Sequence, residues 1–77
     1  MQFTRITFEP NKMGGQACIR GLRMTVASVL RMLAGGMTVP EILQDHPDLQ
    51  AEDIAECLRY AAFLAEERVF PLRRTGS

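Results

Sequence analysis

The order of apolar and polar residues divides the chain into six stretches. Phe3 to Phe8 alternates apolar and polar positions apart from Thr4 and Arg5, and its β-branched and aromatic residues predict a strand over 3–8. Pro10, Asn11, Gly14 and Gly15 make residues 9–16 a loop. A second extended segment follows over 18–24, with Ile19 and Met24 facing inward and Gly21 permitting a turn or bulge between Arg20 and Arg23. The period then becomes helical. Val26, Val29, Leu30 and Leu33 fall on one face behind a Thr25 cap, and Gly35 and Gly36 stop that helix. Thr38-Val39-Pro40-Glu41 has the form of a capping box with proline in the first turn. It predicts a short second helix to about Asp45, with Val39, Ile42 and Leu43 inward and Pro47 preventing extension past His46. A third helix begins after Leu49 and runs to about Arg68. Its expected apolar stripe is Ile54, Leu58, Ala61, Ala62, Ala65 and Val69, widened by Cys57, Tyr60 and Leu64.

A short second helix and a tight proline-containing connection before a longer third give a mainly α fold. The expectation is a three-helix, helix-turn-helix-like bundle with a short N-terminal two-stranded β element. The chain is expected to form one domain: a β element and basic loop over 1–24, a helical core over 25–70 and a flexible basic tail over 71–77, after Pro71 ends the third helix. A helix from Ala51 to Val69 would reach about 28 Å at 1.5 Å per residue, more than two short helices can cover. Residues 63–70 are therefore expected to meet another chain, the alternative being packing against the first strand. With 77 residues the core is small, which also favours a homodimer.

Charge adds a second layer. Nine basic residues balance nine acidic ones, but they are segregated. Residues 1–37 carry Arg5, Lys12, Arg20, Arg23 and Arg31 against Glu9, and the remainder carries eight carboxylates against four arginines. Such a dipole can present one face to phosphate and another to a basic protein. Were the leading cations instead paired internally with the trailing carboxylates, the phosphate-facing surface would be lost. The longest apolar run, residues 60–65, is far short of a membrane span, and residues 1–10 do not read as a signal peptide, so a cytoplasmic location is expected. Cys18 and Cys57 are too few and too far apart for a disulfide framework or a paired zinc motif, and both are expected to be buried thiols. His46 stands beside a proline at a helix end, Lys12 precedes the glycines rather than following them, and no nucleophile and base pair up. No enzymatic activity, metal or cofactor is expected.

Four stretches together carry a resemblance: Gly-Gly-Gln-Ala-Cys-Ile-Arg-Gly-Leu-Arg-Met-Thr-Val (14–26), Leu-Ala-Gly-Gly-Met-Thr-Val-Pro-Glu-Ile-Leu (33–43), Asp-His-Pro-Asp-Leu (45–49) and Glu-Asp-Ile-Ala-Glu-Cys-Leu-Arg-Tyr-Ala (52–61). Over roughly residues 5–70 the chain resembles the domain-of-unknown-function 433 (DUF433) proteins, small chains often treated as antitoxins. The resemblance implies a homeodomain-like helix-turn-helix and partnership with a toxin similar to PIN-domain nucleases. This chain departs from the family pattern at Ala17, where proline is usual, at Leu22, where threonine is usual, and at Gln50, where threonine or serine is usual.

Candidate residues follow from both lines. The guanidinium of Arg20 suits phosphate anchoring, whereas Arg23 is expected to pair with Asp45 or Asp48. The third helix opens with Gln50, Glu52, Asp53 and Glu56, which disfavours major-groove reading by that helix. Operator DNA is therefore expected at Arg5, Lys12, Arg20 and Arg23 of a dimer, and Arg59 is expected to pair with Glu56. Phe63, Leu64, Val69, Phe70 and Leu72 would anchor a nuclease, with Arg73 and Arg74 delivered to its metal-holding carboxylates. The expected function is that of the antitoxin of a toxin-antitoxin pair. The alternatives are a free-standing DNA-binding regulator and a protein adaptor that binds no nucleic acid.

Overall fold

The computed structural model describes residues 3–67 and has the mainly α architecture expected: a two-stranded antiparallel sheet followed by three helices. Strand β1 (Ile6–Phe8) pairs with β2 (Ala17–Ile19) in the register Ile6 to Ile19, Thr7 to Cys18 and Phe8 to Ala17. Both strands are shorter than the extended stretches read from the pattern. At the start of β1, Thr4 and Arg5 form a turn, and Arg5 directs its backbone amide out of the sheet to the Glu56 carboxylate, 2.7 Å away. At the end of β2, Arg20 and Gly21 both adopt positive φ (46° and 70°), and the Leu22 amide donates to the Ile19 carbonyl at 2.7 Å. That is the pattern of a type I′ turn. It folds the chain back so that Cys18 bridges Thr25.

Helix α1 (Val26–Ala34) starts where the Thr25 hydroxyl accepts the Ser28 amide. It ends in a Schellman arrangement: the Met37 amide donates to the Met32 carbonyl at 3.1 Å and the Gly36 amide to that of Leu33 at 3.0 Å, with Gly36 at φ +100°. Helix α2 (Val39–Asp45) carries the full capping box, Thr38 and Glu41 each accepting the other's backbone amide through their side chains. Helix α3 (Ala51–Glu67) begins after the turn that Pro47 enforces. With Gln50 at its N-cap, the usual hydroxyl is missing. The Asp53 carboxylate instead accepts the Gln50 amide at 2.8 Å, the reciprocal half of a capping box.

Ile6, Ile19, Val26, Val29, Ile42, Leu49, Ile54 and Cys57 form one core that takes a residue or more from every helix and both strands. The expected stripe on α3 needs correction. Leu58 is 49% exposed and Ala62 and Ala65 are also exposed, whereas Asp53 and Glu56 are buried beside Ile54 and Cys57. The helix is rolled so that two carboxylates face the sheet. An apolar count places both on the solvent side, because it does not register that Arg5 and Arg20 await them.

The C-terminal half of α3 meets the start of the chain, as the alternative reading of residues 63–70 had it for Phe63. Phe3 packs edge-on to Tyr60 with ring centres 5.2 Å apart and lies 5.5 Å from Phe63, and Phe8 lies 6.3 Å from Tyr60. Val69 and Phe70 lie outside the described residues.

Candidate functional site

Asp53 is the electrostatic centre of the molecule. Only 1% exposed, its carboxylate receives Nε of Arg20 at 3.0 Å on one oxygen and Nη2 of Arg20 at 2.9 Å on the other, a bidentate fork. Nη1 of Arg5 donates to it at 2.9 Å, and the Gln50 amide completes the set. Burial alone would push the Asp53 carboxyl up, but the hydrogen bonds from Arg20, the Gln50 amide and Arg5 outweigh it and hold the group below the usual carboxylate range. The bond to Asp53 raises the affinity of the Arg20 guanidinium for its proton in turn. Arg20 also donates to the Asp48 carbonyl at 2.6 Å, and Arg5 to the Gln50 side chain at 2.9 Å. Two arginines from the hairpin thus clasp the first turn of α3. Glu56, one turn further on, takes the Arg5 amide and lies 3.7 Å from Arg59, which also reaches Glu52 at 3.5 Å.

The four residues expected at DNA are therefore placed differently from one another. Arg5 and Arg20 keep about a third of each side chain exposed, but their donors converge on Asp53. The ζ-ammonium of Lys12 donates to the Gly21 carbonyl and lies 3.6 Å from Glu9. Arg23 is exposed and makes no ion pair among the described residues. The expectation that Arg23 would lock the loop to the acidic half is corrected: Arg20 does so, because the I′ turn swings it toward α3. Arg23 instead lines an open cleft of about 470 Å³ with Asp45, His46, Pro47 and Asp48.

A second surface is apolar. Phe8, Ala17, Val26, Ala27, Leu30, Tyr60 and Leu64 line a groove of about 350 Å³ between the hairpin, α1 and α3. Phe8 is 59% and Leu64 39% exposed at its lip. Of the residues expected to bind a protein partner, Leu64 lies in this groove and Phe63 against Phe3. Leu72, Arg73 and Arg74, like Val69 and Phe70, fall outside the described residues. The sequence reading missed Phe8, Leu30 and Tyr60 as parts of the same surface. The only available signal was that Phe8 and Leu30 are large apolar residues on elements too short to bury every face.

Cys18 and Cys57 are buried and unbridged. Burial pushes the Cys57 thiol up to about 11, with the charges of Asp53 and Glu56 adding to the shift. Among the described residues no three His, Cys, Asp or Glu side chains are grouped to hold a metal ion, and no helix is long and apolar enough to cross a membrane.

A hairpin clasped by arginines onto a three-helix core defines a small mainly α module with an apolar groove and a polar cleft on its surface. The family model for "Protein of unknown function (DUF433)" matches residues 6–61, and the chain belongs to that family. No curated protein matches it. A solved relative is similar in fold: the crystal structure of a DUF433 member protein from Anabaena variabilis ATCC 29413, 32% identical, with a TM-score of 0.75 over 82% of this chain. This chain spans 62% of the length of that one.

Proposed function

We propose that this protein works by binding another protein, as the antitoxin of a toxin-antitoxin pair, with the apolar groove as the heart of its partner surface. The observation that carries the reading is the groove itself, whose lip leaves Phe8 more than half exposed in a chain with a small core. Large apolar side chains gathered on a rimmed cleft are the anchors around which protein interfaces form. The resemblance to antitoxin-like chains supplies the class of partner, a PIN-like nuclease, and Leu64, one of the residues expected to anchor it, lines the groove. A homodimer that holds operator DNA through a helix-turn-helix remains the companion role in this reading. The geometry gives it less support, because Arg5 and Arg20 both direct guanidinium donors at Asp53 and the exposed start of α3 carries Glu52.

Co-expression with the nuclease encoded in a neighbouring frame tests the proposal. The two proteins are expected to co-purify and growth arrest to be relieved, and Phe8→Asp is expected to abolish both while the variant stays folded by circular dichroism. Persistent arrest with the wild-type chain, or full rescue by F8D, refutes it.

A further inference from the structure

We infer that the polar cleft between residues 22–24 and the turn 45–49 is a binding site for a free α-amino acid with an apolar side chain, its carboxylate on Arg23 and its ammonium on Asp45 and Asp48. The site is separate from the groove, and the inference stands whether or not the groove receives a nuclease.

Opposite charges line this cleft and do not meet. Arg23 and the two aspartates all face it, yet no ion pair joins them. Elsewhere the pattern is the reverse: Arg5, Lys12, Arg20 and Arg59 each reach a carboxylate. Arg20 is committed to Asp53 and donates to Asp48 only at its backbone carbonyl. Asp45 ends α2, whose last turn carries no cation, so its carboxylate adds to the negative end of that helix instead of opposing it. A guanidinium and two carboxylates are thus left for a ligand that carries both signs.

The dimensions and the floor narrow the class. Charge-assisted hydrogen bonds of about 2.8 Å at either end of an α-amino acid, whose amino nitrogen and carboxylate lie about 3 Å apart, require protein charges about 8–9 Å from each other. The cleft encloses about 470 Å³, the volume of a sphere about 10 Å across and within the range of small-molecule sites. Its apolar lining is supplied by Leu22 and Met24, both half-buried, and by buried Leu49, all three packed with the core. An apolar side chain on the ligand covers these residues while its charged groups stay at the rim.

Both walls are held before any ligand arrives. On one side the Leu22 amide donates to the Ile19 carbonyl at 2.7 Å and the Ile19 amide to that of Met24 at 3.0 Å. On the other, the His46 amide donates to the Ile42 carbonyl and the Leu49 amide to that of His46, each at 2.9 Å. Little backbone order is therefore lost on binding. The ligand would bridge the segment after β2 to the turn before α3, the same two parts that Arg20 joins, and so is expected to stabilise the fold.

Titration of the full chain with L-leucine, followed by amide NMR, tests the inference. Saturable shifts are expected at residues 22–24 and 45–49. Leucinamide lacks the carboxylate and N-acetylleucine the ammonium, and each is expected to bind about tenfold more weakly for the loss of one charge-assisted hydrogen bond. Arg23→Ala is expected to lower the affinity for leucine to that for leucinamide and to leave leucinamide unchanged. Asp45→Asn with Asp48→Asn should do the same with respect to N-acetylleucine. Circular dichroism checks that both variants keep their helix. L-methionine and L-phenylalanine repeat the titration, so that a poor fit of one side chain does not decide it. Absence of saturable shifts with all three amino acids overturns the inference. Equal affinity for leucine and its two blocked forms, or shifts centred on the groove around Phe8 and Leu30, also overturns it. The nuclease test reads the groove and this one the cleft, so either can fail alone.

Discussion

Replacing Asp53 by alanine removes one side chain and orphans four donors. Two come from Arg20, one from Arg5 and one from the Gln50 backbone, and all converge on a carboxylate that is 1% exposed. Breaking a buried ion pair by deleting one partner costs about 3–5 kcal/mol. Arg5 and Arg20 retain 29% and 32% side-chain exposure, so water can rehydrate them in part, and the low end, about 3 kcal/mol, applies. At about 0.05–0.15 kcal/mol per residue a chain of this length has about 4–12 kcal/mol in total, so D53A removes a quarter or more of it. With a urea slope of about 1 kcal/mol/M for a small domain, the unfolding midpoint followed by circular dichroism should fall by about 3 M at unchanged slope. A double-mutant cycle with Arg20→Ala isolates the pair, and the double variant should be less destabilised than the sum of the single ones. A midpoint shift under about 0.5 M, or strict additivity in the cycle, refutes the clasp as a source of stability.

The same group sets the response to acid. Because the native carboxyl lies below its unfolded value of about 3.9, its stabilisation is complete above that pH and disappears as pH falls through the native value. Wild-type stability should therefore drop more steeply than that of D53A below about pH 4, and parallel acid limbs would contradict the direction of the shift. Thr38→Ala breaks half of the α2 capping box and should cost about 1 kcal/mol by urea titration, while leaving the α3 clasp intact. With Cys18 and Cys57 both buried and the latter raised to about 11, thiol reagents at neutral pH should react at the rate of unfolding, and immediate labelling in native buffer would contradict the packing. If duplex DNA binds at all, Arg23→Ala should flatten the dependence of affinity on salt more than Arg20→Ala does at matched stability, and equal slopes would mean that Arg20 is free to meet phosphate.

Most of the architecture was legible because local chemistry dictated it. Thr25, Thr38 and Pro40, Gly35 and Gly36, and Pro47 each mark a helix boundary for a reason that lies within a few residues. The roll of α3 was not legible. It depends on a bond set between residues 33 and 48 positions apart, and periodicity treats Asp53 and Glu56 as solvent-facing because buried carboxylates are rare unless paired. The exchange of roles between Arg20 and Arg23 has the same origin, since the positive φ of a non-glycine residue decides which guanidinium points inward. Segregated charge was visible from composition, but the structure uses part of it internally, which redirects attention from the cationic loop to the groove. Leu64 was found by its place late in α3, whereas Phe8 and Leu30 become part of the same surface only when the hairpin is laid across α1.

The clasp also has a consequence for how the chain is made. During synthesis the hairpin leaves the ribosome before α3, with Arg5 and Arg20 lacking their counter-ion until the start of α3 follows, some thirty residues behind Arg20. A three-residue pairing of this kind is marginal alone in water. The nascent hairpin therefore stays open to proteases and chaperones until Asp53 emerges, and the hairpin and the first turn of α3 become ordered in a single late step.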